Sequence, residues 1–375
     1  MPNESLFIKL LGNIPAFAVF GRGTAVMLLF LTKRAGWQTL YQTRLKSAIL
    51  LMDYQVKGNP ISNDGGKSQF LQQHMAGTAR VATLLGVIVV FVHFVWQFSA
   101  YLSVLIAGTI QPTGNTTKIG NTNSSYGQDQ LFSQIMFYTG YAFFLSMYVL
   151  SQQVIVLGVV FTIILRSCLK RNNATIVNLR LALDSANSLC GSGDENIVIE
   201  GARLVEQLEI IRRCQNGIRI LYTEVDAFFR NIFFAAHVLD MACLMGFVAL
   251  VIMSDSSANL GAWLSNCVSS VIFVGYTTVL LCPLAFAYEE AESTHFQVYQ
   301  LSVAIRRHFP KEAIDSQMHE ILQDIMGLSE EKSIVLQGAG VINYTRSWFA
   351  GTITLTLSFS VLAYELTQRS GSGIC

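Results

Sequence analysis

The residues best placed to do chemistry in this chain are polar and ionisable groups set inside long apolar stretches. His237 and Asp240 stand three apart in the apolar run 227–253, so on a helix they share a face and can pair. Such a pair either fixes helix packing or faces a wet cavity, because a charge in hydrocarbon is costly. Glu365 is the only charge in the run 347–368, which also carries the hydroxyls of Thr352, Thr354, Thr356, Ser358 and Ser360. That carboxylate either snorkels to the membrane surface or borders a wet path, where hydroxyls and carboxylates attract cations. His93, Trp96, Tyr138 and Tyr141 are either membrane-interface anchors or the walls of an outward-opening cavity, and Tyr276, in mid-span, is a better candidate for the cavity. No nucleotide-binding, zinc-protease or nucleophile-elbow motif occurs. The six histidines have no metal-ligand spacing, and the seven cysteines form no C-x-x-C pair. Neither an enzyme nor a metal or cofactor site is expected.

The elements that must carry these residues follow from how scarce charge is. Only 13% of the 375 residues are charged and 52% are hydrophobic, against about 25% charged in soluble domains. An integral membrane protein in contact with the lipid bilayer is expected. A net charge of +1 without a basic cluster excludes a nucleic-acid partner. A membrane helix needs about 20 apolar residues. The runs 81–110, 131–165, 227–253, 263–288 and 347–368 meet that requirement. A further run, 10–32, is interrupted by Gly12, Pro15, Gly21, Arg22 and Gly23; it crosses the membrane or acts as a signal peptide. The expected organisation is an N-terminal segment 1–80 with the helix 10–32 and a cytosolic loop. A helical body 81–288 with a cytosolic loop 166–226 follows, then a segment 289–375 holding a cytosolic anchor helix and the final span.

Orientation comes from the positive-inside rule. The segments 33–80, 166–226 and 289–346 hold 7, 8 and 5 Lys/Arg, whereas the intervening outer segments hold only Lys118 and Arg369. The loop 111–130 lies on the charge-poor side and carries two N-x-S/T glycosylation acceptors, Asn115 and Asn123. This predicts an all-α multi-pass protein of the plasma membrane with six to seven spans and an extracellular C-terminus. It also disfavours cleavage after 10–32, which would put the basic segment 33–80 outside. The inner segments are helical by pattern. Leu204, Leu208, Ile211, Ile218, Leu221 and Val225 recur at helical spacing, and a helix through 296–305 breaks at Phe309-Pro310 and resumes over 313–326. Gly338-Ala339-Gly340 forms a hinge before the last span. With no large soluble domain to pack on, these inner helices are expected to cover one another or a neighbouring subunit.

This order of elements resembles the insect gustatory and odorant receptor superfamily, including its nematode gustatory-like relatives, over residues 81–375. The family's last span carries Thr-Tyr, five apolar residues and Gln. Here the spacing is kept with other letters, as Ser358-Phe359, then 360–364, then Glu365. The resemblance implies a chemosensory receptor acting as a ligand-gated, non-selective cation channel that assembles as a homo- or hetero-tetramer. Its last helix would line the pore with Thr354, Ser358, Phe359, Leu362 and Glu365. A small tastant or odorant would bind among His93, Trp96, Tyr138, Tyr141, His237, Asp240 and Tyr276. The alternatives are a metabotropic serpentine receptor, with its C-terminus inside, or a family member that does not conduct.

Overall fold

The computed structural model describes residues 6–47, 125–187, 194–253, 260–309, 316–330 and 336–372, with isolated helical positions between 77 and 91. The described elements are α1 (Leu6–Thr32), α2 (Arg34–Gln38) running into a π-helical turn Thr39–Leu45, α3 (Ser125–Asn187) and α4 (Asp194–Met253). They continue with α5 (Leu260–His308), α6 (Ser316–Glu330), a short antiparallel hairpin of β1 (Gln337–Gly338) and β2 (Ile342–Asn343), and α7 (Arg346–Ser372). This is an all-α membrane protein. Four helical segments, Ser146–Ser185, Gly201–Met253, Leu260–His308 and Arg346–Leu366, are long and apolar enough to cross a bilayer.

The three long helices outrun the membrane. The 63 residues of α3 span about 95 Å at 1.5 Å each, against roughly 30 Å of hydrocarbon. No Gly or Pro interrupts residues 159–187, so once the apolar half ends nothing stops the helix. α5 likewise runs through Pro283 without a break. In a packed membrane helix, neighbouring groups can satisfy the carbonyl that proline frees. α1 is continuous across the Gly and Pro interruptions of 10–32. α5 ends at His308, just before the Phe309-Pro310 break, and the next described helix is α6, Ser316–Glu330.

Two apolar cores hold the long helices. In the membrane half, Phe229 of α4 meets the rings of Phe228 and Phe233 on its own helix and of Phe161 on α3, and Trp37 of α2 packs on both Phe161 and Phe228. The π-helical turn contributes Leu40 and Leu45, so the short segment after α1 is part of this core. In the extensions beyond it, Leu204, Leu208 and Ile211 meet Ile305 of α5 and Ile321 and Ile325 of α6. All six apolar positions that recur along 204–225 are buried. Asn172 and Gln215 bond across α3 and α4 at 2.6 Å, and Asn173 bonds Glu290 of α5 at 2.9 Å.

Close approach of α3 and α4 depends on Gly158. A Cβ there would lie 2.5 Å from the Phe233 ring and 2.9 Å from Phe229, and both rings are fully buried. Gly158→Ala is therefore expected to destabilise the protein by about 1–3 kcal/mol through overpacking. A thermal-unfolding midpoint equal to that of wild type in detergent would refute this account. α1 and α4 approach in the same way, with Pro15 against Gly246.

Candidate functional site

Four helices converge on a buried polar cluster. Arg22 of α1 and Asp240 of α4 form an ion pair, each 1% exposed. The Arg22 guanidinium also donates to Asp240 Oδ2 at 3.1 Å, to Ser151 Oγ at 3.2 Å and to Gln152 Oε1 at 3.1 Å, the last two on α3. Its Cζ lies 5.0 Å from the Tyr148 ring and 5.9 Å from the Tyr276 ring of α5, within cation–π range. The Tyr276 ring meets Phe273, which stacks on Phe247 of α4. A planar guanidinium suits this position because it can serve a carboxylate, a hydroxyl, an amide oxygen and two ring faces together. Gln152 Nε2 and Tyr276 Oη are buried there and bond to no described residue. The cluster thus combines a neutralised charge pair, an aromatic wall and two open hydrogen-bonding groups.

His237 does not join it. Its Nε2 accepts a hydrogen bond from the Trp348 indole of α7 at 3.1 Å, and its ring meets Tyr344 edge-on at 6.0 Å. His237 and Asp240 share one helix but take different partners, 237 toward α7 and 240 toward α1. Of the expected cavity residues, Asp240 and Tyr276 come together and His237 lies at a separate contact. Tyr138 and Tyr141 fall in the helical stretch of α3 whose side chains are outside the described residues. His93, Trp96 and the acceptors Asn115 and Asn123 also lie outside the described residues, as does most of the expected span 81–110. In sequence Arg22 stands out only as an interruption of 10–32. The signal for the pairing is a cation in the run 10–32 and an anion, Asp240, deep in the run 227–253, whose cost in hydrocarbon falls if they meet.

The last helix has two distinct polar faces. Thr352, Thr356 and Ser360, four residues apart, are buried against the rest of the chain, and each hydroxyl donates to the carbonyl one turn back. The Thr356 hydroxyl also lies 4.0 Å from Met241 Sδ of α4. Thr354, Ser358, Leu362 and Glu365 are exposed on the opposite side, and Phe359 is half-buried against Ala249. Of the four membrane-length segments, α7 is the least covered by the rest of the chain.

No protein-family model matches this sequence, and no curated protein matches it. Solved structures do. Two structures of the insect olfactory receptor OR5 from Machilis hrabei, one of them in complex with eugenol, superpose with a TM-score of 0.57 at 12% identity. The match covers 97% of this chain and 83% of the receptor chain. The chain therefore has the fold of the insect olfactory receptors.

Proposed function

We propose that this protein is a chemosensory receptor of the insect chemoreceptor superfamily, working as a ligand-gated, non-selective cation channel in the plasma membrane with its C-terminus outside. The observation that carries the reading is the exposed stripe of α7. Thr354, Ser358 and Glu365 are polar, lie on one side of a membrane-length helix and have no covering element among the described residues. A helix in this position gains from facing water rather than lipid, and several copies around an axis, most simply four, would create that water. Leu362, on the same stripe, then supplies the apolar constriction, while Phe359 packs against Ala249 and is not placed on it.

The ligand is a small molecule, as eugenol is for the receptor of like fold. Its chamber adjoins the Arg22–Asp240 cluster, where Tyr276 and Tyr148 offer ring faces and Gln152 Nε2 offers an unused donor. His93, Trp96, Tyr138 and Tyr141 are proposed to complete it. Asn115 and Asn123 are proposed to carry glycans.

Whole-cell recording during application of a panel of aromatic and aliphatic tastants and odorants tests this directly. Inward cation current to at least one compound is expected, with Tyr276→Ala shifting the half-maximal concentration by about tenfold, the scale of one lost aromatic contact and hydrogen bond. Protein present at the surface but silent to every compound would remove the channel reading. A glycosylation tag placed after Cys375 separates the metabotropic alternative, which requires that tag to stay unmodified.

A further inference from the structure

Three backbone amides in the segment joining α6 to α7 bond to a single row on α4. Leu336 N–H donates to the Tyr222 hydroxyl at 3.3 Å, Gln337 N–H to Asp226 Oδ1 at 2.8 Å, and Ala339 N–H to the Arg230 main-chain carbonyl at 3.3 Å. Residues 222, 226 and 230 are four apart and so stand above one another along the helix. The same side of α4 continues upward to His237, which holds Trp348, and to Met241 beside Thr356. Arg346, the first residue of α7, is tied separately to Glu289 of α5 at 2.6 Å.

The hairpin is not in a conformation that its own residues favour. Ala339 has φ +52° and Gly340 φ +75°, and a left-handed alanine is disfavoured by contact between its Cβ and the backbone. Buried Tyr344 occupies the space beside Gly338, where an added Cβ would lie 2.6 Å from the phenol oxygen. The shape is imposed by what holds it, and the strongest of the three holds is the side-chain oxygen of Asp226.

We propose that Asp226 is the positioning residue of a latch by which α4 holds the hairpin 337–343 and so sets the resting position of α7. The gating role rests on the channel reading above; the latch itself does not.

The groups facing Asp226 among the described residues are Tyr222 and Arg230 on α4, Lys33 at the end of α1, and Tyr344 after the hairpin. A carboxylate accepts from an amide more strongly than a neutral oxygen does, so the bond from Gln337 N–H is the one hold that a side-chain substitution can remove without altering the backbone of α4.

Hydrogen–deuterium exchange on the full chain in lipid nanodiscs reads the latch without needing a current. Asp226→Ala should lose about tenfold in protection at Gln337 relative to wild type, the scale of one hydrogen bond to a charged group. Asp226→Asn keeps an acceptor oxygen, so it should retain part of that protection. In inside-out patches, Asp226→Ala should raise the current without ligand, and Asp226→Asn should raise it less. Hairpin protection in Asp226→Ala equal to wild type overturns the proposal, as does protection in Asp226→Asn lower than in Asp226→Ala. If Asp226→Ala does not fold, the Asn variant and Tyr222→Phe carry the comparison. Expected exchange with no current under any stimulus would sink the channel reading and leave the latch standing. Currents with altered hairpin exchange but identical gating in all variants would instead refute its role in gating.

Discussion

Arg22→Leu is expected to remove nearly all folded protein from the cell surface. The substitution leaves Asp240, 1% exposed, without its partner in the interior of a helical bundle. It also strips Ser151 and Gln152 of their shared donor. Breaking one side of a buried pair costs about 3–5 kcal/mol, a large part of the roughly 5–15 kcal/mol that holds a typical domain. Replacing both partners is a different experiment, because no charge then remains to be solvated. Arg22→Leu/Asp240→Leu is expected to recover much of the folded protein. Size-exclusion profiles and thermal midpoints of the three forms measure this. A single variant as stable as wild type would mean the pair contributes nothing to folding. If the double variant folds and conducts but no longer answers ligand, the cluster belongs to the ligand chamber as well.

Glu365→Lys is expected to reduce the cation-to-anion permeability ratio roughly tenfold, read as a shift of the reversal potential in dilution experiments. The carboxylate is exposed on the same side of α7 as Thr354, Ser358 and Leu362, so in an assembly around that face every copy contributes one charge. Reversing a ring of charges within a few ångström of passing ions changes their Coulomb energy by more than thermal energy, even in water. Glu365→Gln should move the ratio in the same direction by less. Thr356→Val is the control, since that hydroxyl faces α4 and donates within its own helix. If Thr356→Val alters selectivity and Glu365→Lys does not, the pore lies on the opposite side of α7 from the one proposed.

The helical extensions beyond the apolar runs were legible because their signal is local. The spacing along 204–225 marks one face, and that face is buried wherever the helix packs. The break at Phe309-Pro310 was legible for a similar reason, since proline and the residue before it restrict the backbone regardless of surroundings. The hinge at Gly338-Ala339-Gly340 was visible as a glycine pattern. Its hydrogen bonds to Tyr222, Asp226 and Arg230 were not, because the acceptors lie more than a hundred residues earlier in the chain.

The candidate site divides along the same line. Asp240 and Tyr276 stood out as polar groups in apolar runs, and they do meet at the cluster. Spacing put His237 beside Asp240, yet 237 turns to Trp348 and 240 to Arg22. An i, i+3 relation permits contact, but competing partners on neighbouring helices decide whether it forms. The five hydroxyls of the last span looked alike in sequence. Packing on α4 separated Thr352, Thr356 and Ser360 from Thr354 and Ser358.

By itself, then, the sequence determined that this is a membrane protein built from helices, where proline ends one of them, and which of their faces are apolar. Each of these depends on charge content, chain stiffness or period, and all three act over a few residues. Only the tertiary structure decided that Arg22 pairs with Asp240 across 218 residues, that α4 holds the hairpin, and which face of α7 stays open. A buried charge or an unpaired amide must find a partner, and which partner it finds depends on the helices brought alongside it.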